Sequence, residues 1–265
     1  MLTAILACLA VGLVAGFLAG LLGVGGGLVI VPALLWVFHL IGLIPEQQQH
    51  LAIGTSLATI IFTGAASVRA HQQKGAVRWD VVRQITPGIV LGTFIGAQIA
   101  GFISTFYLQC IFIVFAYFVA AQMLLDLKPK PTRQLPKIIG MNVAGGVIGL
   151  LSSWVGIGGG SLSVPFMSSC NVPVKTAIGT SSAVGIPIAI AGAVGFIVSG
   201  WSVPALPQGS LGYVYLPALF SIVLASFPMA KVGAICAHRL PVPVLKKCFA
   251  ALLIILASKM LWSLL

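Results

Sequence analysis

Two short stretches of this chain combine residue types that leave backbone amides free, and they occur in register. Gly23-Val24-Gly25-Gly26-Gly27 runs into Leu28-Val29-Ile30-Val31-Pro32, and 133 positions later Gly156-Ile157-Gly158-Gly159-Gly160 runs into Ser161-Leu162-Ser163-Val164-Pro165. Consecutive glycines permit unwinding and let a ligand come close to the main chain. A helix that starts just after such a break aims its free N–H groups, and about half a positive charge, into the gap. The chemistry this favours is non-covalent binding of a small anion. Gly25, Gly26 and Gly27 in the first copy, and Gly158, Gly159, Gly160 and Ser161 in the second, are therefore candidate binding residues. The competing reading is that small residues only let helices pack closely. Neither copy carries the Gly-Lys-Ser/Thr of a phosphate loop or the trailing acid of a dinucleotide fold, so no nucleotide and no cofactor is expected.

A second pair of motifs adds hydroxyls. Gly54-Thr55-Ser56 and Gly179-Thr180-Ser181-Ser182 place Thr55, Ser56, Thr180 and Ser181 at the start of long apolar segments. There they either donate to oxyanion oxygens or cap and back-bond their own helices. Lys231 lies inside an apolar segment, where a cation is expensive unless it faces a cavity or a partner, and it is the expected direct anion contact. Snorkelling toward the headgroups is its competitor. Its repeat mate Gln98 is a further candidate, either for the solute or for an interhelical bond. Glu46, Asp80 and Asp126 fall at segment ends, as do His39, His50 and His71, so no buried carboxylate presents itself for coupling. An intramembrane enzyme with Ser161 or Ser56 as nucleophile lacks a base on any neighbouring apolar segment and is not expected.

The elements that must hold these residues are membrane helices. Of 265 residues 59% are apolar and 6% charged, and the mean hydropathy is +1.14, leaving too little polar surface for a water-soluble globule. Apolar runs of the length needed to cross about 30 Å of hydrocarbon recur from end to end. Helices are predicted at 2–22, 28–44, 50–70, 79–102 and 105–127, then at 138–155, 161–171, 175–199, 211–237 and 244–264. The first segment has no basic leader region and is read as a helix rather than a signal peptide. The halves share further landmarks in order: Thr93-Phe94 with Ser226-Phe227, and Gln122-Met123-Leu124 with Lys259-Met260-Leu261. The five cysteines are scattered through apolar segments and suggest no metal or redox site.

An odd number of elements per repeat requires the two copies to lie in opposite orientations. Basic residues follow suit. The loop with Arg69, Lys74 and Arg78 is predicted cytoplasmic, whereas its counterpart, 200–212, carries no charge. Conversely the turn 101–104 is uncharged and its counterpart carries His238, Arg239, Lys246 and Lys247. The net charge of +11 is thus topological, spread over short loops and helix ends, and nucleic acid is not an expected partner. The expected architecture is an all-α polytopic membrane helix bundle: a first repeat at 1–127, a basic cytoplasmic linker at 128–137 and a second, inverted repeat at 138–265. Short helices after the breaks either cross or re-enter, and both termini are placed outside. The lipid bilayer is the expected surrounding and a homo-oligomer is compatible with it.

The two Gly-x-Gly-Gly-Gly motifs closing on Pro, the two Gly-Thr-Ser motifs and His238-Arg239-Leu240-Pro241 before the last helix resemble the TauE/SafE family of membrane transporters, the sulfite exporters. The resemblance covers essentially the whole chain. It implies a secondary carrier, or at least a permease, in a bacterial-type inner membrane, handling small sulfur-containing anions such as sulfite, sulfoacetate and other organosulfonates, with substrate and direction differing between members. An anion-selective channel built on the same helix starts is the nearest alternative.

Overall fold

The computed structural model describes residues 2–22, 26–43, 45–125, 134–204, 206–236 and 242–264. Ten helices lie among them: α1 Leu2–Leu22, α2 Gly27–Leu40, α3 Pro45–Gln72, α4 Trp79–Ala100, α5 Thr105–Leu124, α6 Ile138–Val155, α7 Gly160–Ser169, α8 Val174–Gly200, α9 Leu216–Cys236 and α10 Val242–Trp262. A two-stranded hairpin, β1 Ser210–Leu211 and β2 Val214–Tyr215, precedes α9. The chain is an all-α polytopic membrane bundle. By length and composition Glu46–Gln72, Thr105–Leu124, Ile138–Val155, Val174–Gly200 and Leu216–Gly233 are each able to cross a bilayer. The outer surface suits lipid: Leu91, Val114 and Leu224 are 64%, 70% and 73% exposed.

Two helices are too short to cross. The 10 residues of α7 span about 15 Å and the 14 of α2 about 21 Å at 1.5 Å per residue, against about 30 Å of hydrocarbon.

The largest helix contacts exchange among themselves when α1–α5 are swapped for α6–α10. The most extensive contacts are α1 with α9 and α4 with α6, which such an exchange interconverts, while α3 with α8 and α5 with α10 map to themselves. Side-chain detail follows. A methyl group on Gly16 would lie 2.4 Å from Ser226 O, and one on Gly149 would lie 2.6 Å from Thr93 Oγ1. Gly16 and Gly149 stand 133 positions apart, as do Thr93 and Ser226. Without a hydrophobic force between helices in lipid, close backbone contact of this kind is what binds them.

Two predicted helix starts shift by five residues. The third helix starts at Pro45, five residues before the expected position, because Pro at the first turn and Glu46 next to it favour a helix start. The ninth starts at Leu216, since the hairpin takes up 210–215. The expected linker lies largely outside the described residues, as do His238 and Arg239.

Candidate functional site

Both glycine stretches break the backbone. α6 ends at Val155, Gly156 adopts φ 75, and α7 begins at Gly160 after a left-handed Gly159 with φ 73 and ψ −5. In the first copy Gly26 precedes α2 with φ 76 and ψ −9. Gly26 and Gly159 are repeat mates in the same left-handed conformation, which any L side chain would strain by about 1–2 kcal/mol. Neither helix start receives a side-chain cap. The earliest backbone bonds within α2 come from Val29 and Ile30 N–H to Gly26 O, and within α7 from Leu162 and Ser163 N–H to Gly159 O. The N–H groups ahead of them, at Gly27, Leu28, Gly160 and Ser161, belong to the first turn, where α-helical geometry offers no acceptor. Gly25 lies outside the described residues.

The two breaks meet in the middle of the bundle. A methyl group on Gly27 would stand 2.2 Å from Gly156 O and 3.0 Å from Ile157 Cα, and one on Gly156 would stand 2.9 Å from Val31 Cγ2 and 3.2 Å from Ile53 Cα. Residues 26–32 and 155–161 are all buried. Ser56 Oγ donates to Gly156 O at 2.8 Å, tying α3 to the second break. A methyl group on Gly158's neighbour across the gap, Gly185 of α8, would lie 2.8 Å from Gly158 O. Ser181 joins through Ser163, whose Oγ lies 2.9 Å from Ser181 Oγ and 2.9 Å from Gly159 O.

Several polar side chains around the second break lack a hydrogen-bond partner among the described residues. Ser161 Oγ, Ser152 Oγ and Thr93 Oγ1 are in this group, on residues 7%, 0% and 0% exposed. Ser152 Oγ is 3.5 Å from where a methyl group on Gly159 would sit. Leaving one such buried hydroxyl unpartnered costs about 1–3 kcal/mol, so this cluster is poised to donate. Gln49 is also fully buried with Nε2 and Oε1 unpartnered. It shares a helix face with Ile53 and Ser56, at i, i+4 and i+7. From the sequence Thr93 stands out only as a landmark shared by the halves, and neither Ser152 nor Gln49 is singled out.

The remaining candidates sit elsewhere. Thr55 Oγ1 accepts the N–H of Tyr215 at 2.9 Å, and Thr180 Oγ1 accepts the N–H of Arg78 at 3.0 Å. Each donor is the residue before α9 or α4. The preceding glycines admit the same segments, since methyl groups on Gly54 and Gly179 would lie 2.3 Å from Tyr213 O and 2.4 Å from Ala76 O. Thr55 and Thr180 thus brace loops. Gln98 Nε2 donates to Gly195 O at 2.9 Å, an α4 to α8 link. Lys231, expected as the direct anion contact, is exposed on the outer face of α9 with Phe220, Leu224 and Phe227. The helix phase points it outward near the end of α9, where a long cation reaches the headgroups, whereas the backbone around the two breaks is buried. Lys259 stands 5.2 Å from the Trp36 ring centroid, a cation–π contact on the exterior.

The end of the bundle that carries the hairpin is packed with aromatic groups. His50, buried in α3, holds the α4–α5 turn with Nε2 2.9 Å from Ala100 O and 3.1 Å from Ile103 O. Its ring stacks on Tyr213, 4.9 Å between centroids, and Phe38 meets Tyr215 edge-on at 5.8 Å. Burial pushes the phenols of Tyr213 and Tyr215 up from their usual range. Among the described residues no His, Cys, Asp and Glu cluster suits a metal.

Short helices that start from unwound, buried backbone at the centre of a lipid-facing bundle define a multi-pass membrane protein of the transporter class. The chain belongs to the sulfite exporter TauE/SafE family, whose model matches residues 8–260. It is 42% identical over 263 residues to a "probable membrane transporter protein" of Haemophilus influenzae, covering 98% of this chain and 99% of that one. Similar proteins of Methanocaldococcus jannaschii (30% identity; 85% of this chain, 79% of the relative) and Bacillus subtilis, YunE (30%; 71% and 77%), carry the same description. No solved structure matches. The chain is a membrane transporter and not an enzyme.

Proposed function

We propose that the chain is a secondary transporter, an exporter, of small sulfur-containing anions such as sulfite or organosulfonates, with its site where the two backbone breaks meet. The observation that carries this reading is the juxtaposition of Gly27 with Gly156 at the head of two uncapped, buried half-helices. Two helix starts converging there supply amide donors and partial positive charge without a buried ion, which suits an anion that must also leave. The family's description as sulfite exporters supports the class of solute.

Repeats at 1–127 and 138–265, joined by a cytoplasmic linker at 128–137, lie in opposite orientations in a bacterial-type cell membrane with both termini outside. Exchange of their conformations about the shared axis exposes the site to one face and then the other. Counterflow in proteoliposomes tests this. Labelled sulfite should accumulate transiently against preloaded unlabelled sulfite, with saturation. Flux without saturation or trans-stimulation would instead indicate a channel.

A further inference from the structure

The two halves are not filled alike along their outer seams. In one half α5 packs along α6. Exchange of the repeats turns that pair into α10 and α1, and there a cavity of about 490 Å³ opens between α1, α9 and α10. The residues account for the difference. Gln122-Met123-Leu124 and Lys259-Met260-Leu261 align α5 with α10 at a spacing of 137 positions, so Cys248 and Leu252 correspond to Ile111 and Phe115. Ile111 and Phe115 pack against the core of the bundle, whereas the smaller Cys248 and Leu252 line the cavity. The facing wall comes from Leu13, Val14 and Phe17 of α1, which lies along α9 with Gly12 at Ile222 and Gly16 at Ser226.

The cavity opens on the outside of the bundle. Leu13 and Val14 are 47% and 50% exposed, while Phe249 behind them is buried. Its rim continues the exposed stripes of two helices: Leu6, Ala10 and Leu13 on α1, at i, i+4 and i+7, and Cys248, Ala251 and Ile255 on α10, at i, i+3 and i+7. Lipid therefore borders the opening. Among the described residues no charged side chain lines the cavity, and apart from sulfur its lining is hydrocarbon. Water needs several polar partners and finds none there. An empty space would forfeit the dispersion contacts of its walls. The flexible apolar chain that the bilayer supplies meets both conditions.

We propose that this cavity is a binding site for an acyl chain of a membrane phospholipid, held between α1 and α10 as a resident molecule and not as part of the exchanging annulus. The chain takes the place that Ile111 and Phe115 fill in the other half. Packing holds it, since in lipid there is no hydrophobic force to do so. Recognition is of the chain, because the lining offers nothing ionic to a headgroup.

Native mass spectrometry of the purified full-length protein tests this, with palmitoyl-oleoyl phosphatidylethanolamine or phosphatidylglycerol added to the detergent. Wild type should keep one phospholipid per chain after collisional activation has stripped the rest, with either headgroup. The double variant Cys248→Ile, Leu252→Phe gives α10 the side chains of α5 and should lose this last molecule. Leu224→Phe, on the open face of α9, should keep it. Wild type that sheds its lipid in one continuous series, with no last molecule retained, overturns the site even where the double variant fails to fold. Retention by a folded double variant also overturns it, as does retention of phosphatidylglycerol alone, which would place the binding in the headgroup. A dimer that holds no lipid and dissociates in the double variant would show a second copy of the chain on this face, and would overturn the proposal equally.

Discussion

The carbonyl oxygen of Gly156 lies where a side chain on Gly27 would begin: a methyl group there would be 2.2 Å away. One break in the chain is thus seated against the other, with no room for a side chain between them. Ser56 Oγ, 2.8 Å from the same carbonyl, fixes the contact from α3.

Gly27→Ala forces backbone against backbone, and Gly159→Ala places a side chain at φ 73. Both should lower thermal stability, Gly27→Ala by about 3 kcal/mol or more and Gly159→Ala by at least the strain of about 1–2 kcal/mol. A methyl group at 159 would also meet Ile188 Cδ1 at 2.3 Å, the end of a movable side chain. Unfolding midpoints in detergent check the order; a Gly27→Ala protein as stable as wild type would mean that the breaks do not touch.

Thr55 and Thr180 accept equivalent backbone donors from Tyr215 and Arg78. Thr55→Val and Thr180→Val should each cost about 1–3 kcal/mol by leaving a donor unpaired, with anion affinity unchanged. Titration beside thermal melting separates the effects, and loss of affinity at full stability would restore these hydroxyls to the binding site.

Lys231 lies on the same exposed face as Phe227 and Leu224. Lys231→Gln should therefore leave the dissociation constant for sulfite within about twofold of wild type, since a side chain on the outer face makes no direct contact with the buried breaks. A tenfold loss would return this lysine to the solute.

The number of helices and both glycine breaks were legible because the triple glycines recur 133 positions apart, each before a short apolar run and a Pro, a repetition that close helix packing alone does not require. Lys231 was not. In a water-soluble helix the polar face announces its phase, but in a bundle whose outside is lipid both faces are apolar, and only packing shows which way position 231 points. Gln47, Gln48 and Gln49 resemble a loop by polarity, yet Pro45 and Glu46 start a helix there and bury Gln49. Ser152 and Thr93 carry no local signature, since a serine or threonine within a membrane helix ordinarily bonds its own backbone. Their unpartnered hydroxyls emerge from the packing of α4, α6, α7 and α8. The Gly-Thr pairs were found from their repetition, but not their role, because the segments they brace lie far away in sequence.

The opposed orientation proposed for the repeats would put Lys74 and Gly209 on opposite faces of the membrane. In a background free of the five native cysteines, Gly209→Cys should react with an impermeant thiol reagent added to intact cells, and Lys74→Cys only after permeabilisation. Labelling of both from one side would contradict the inverted arrangement.

The most direct measurement is anomalous diffraction from crystals of the protein grown with selenite, a heavier analogue of sulfite. The selenium peak should lie between the start of α7 and that of α2, within hydrogen-bond reach of Ser161 and Ser152. A peak confined to the exterior beside Lys231 or Lys259, with none between the two breaks, would contradict the account.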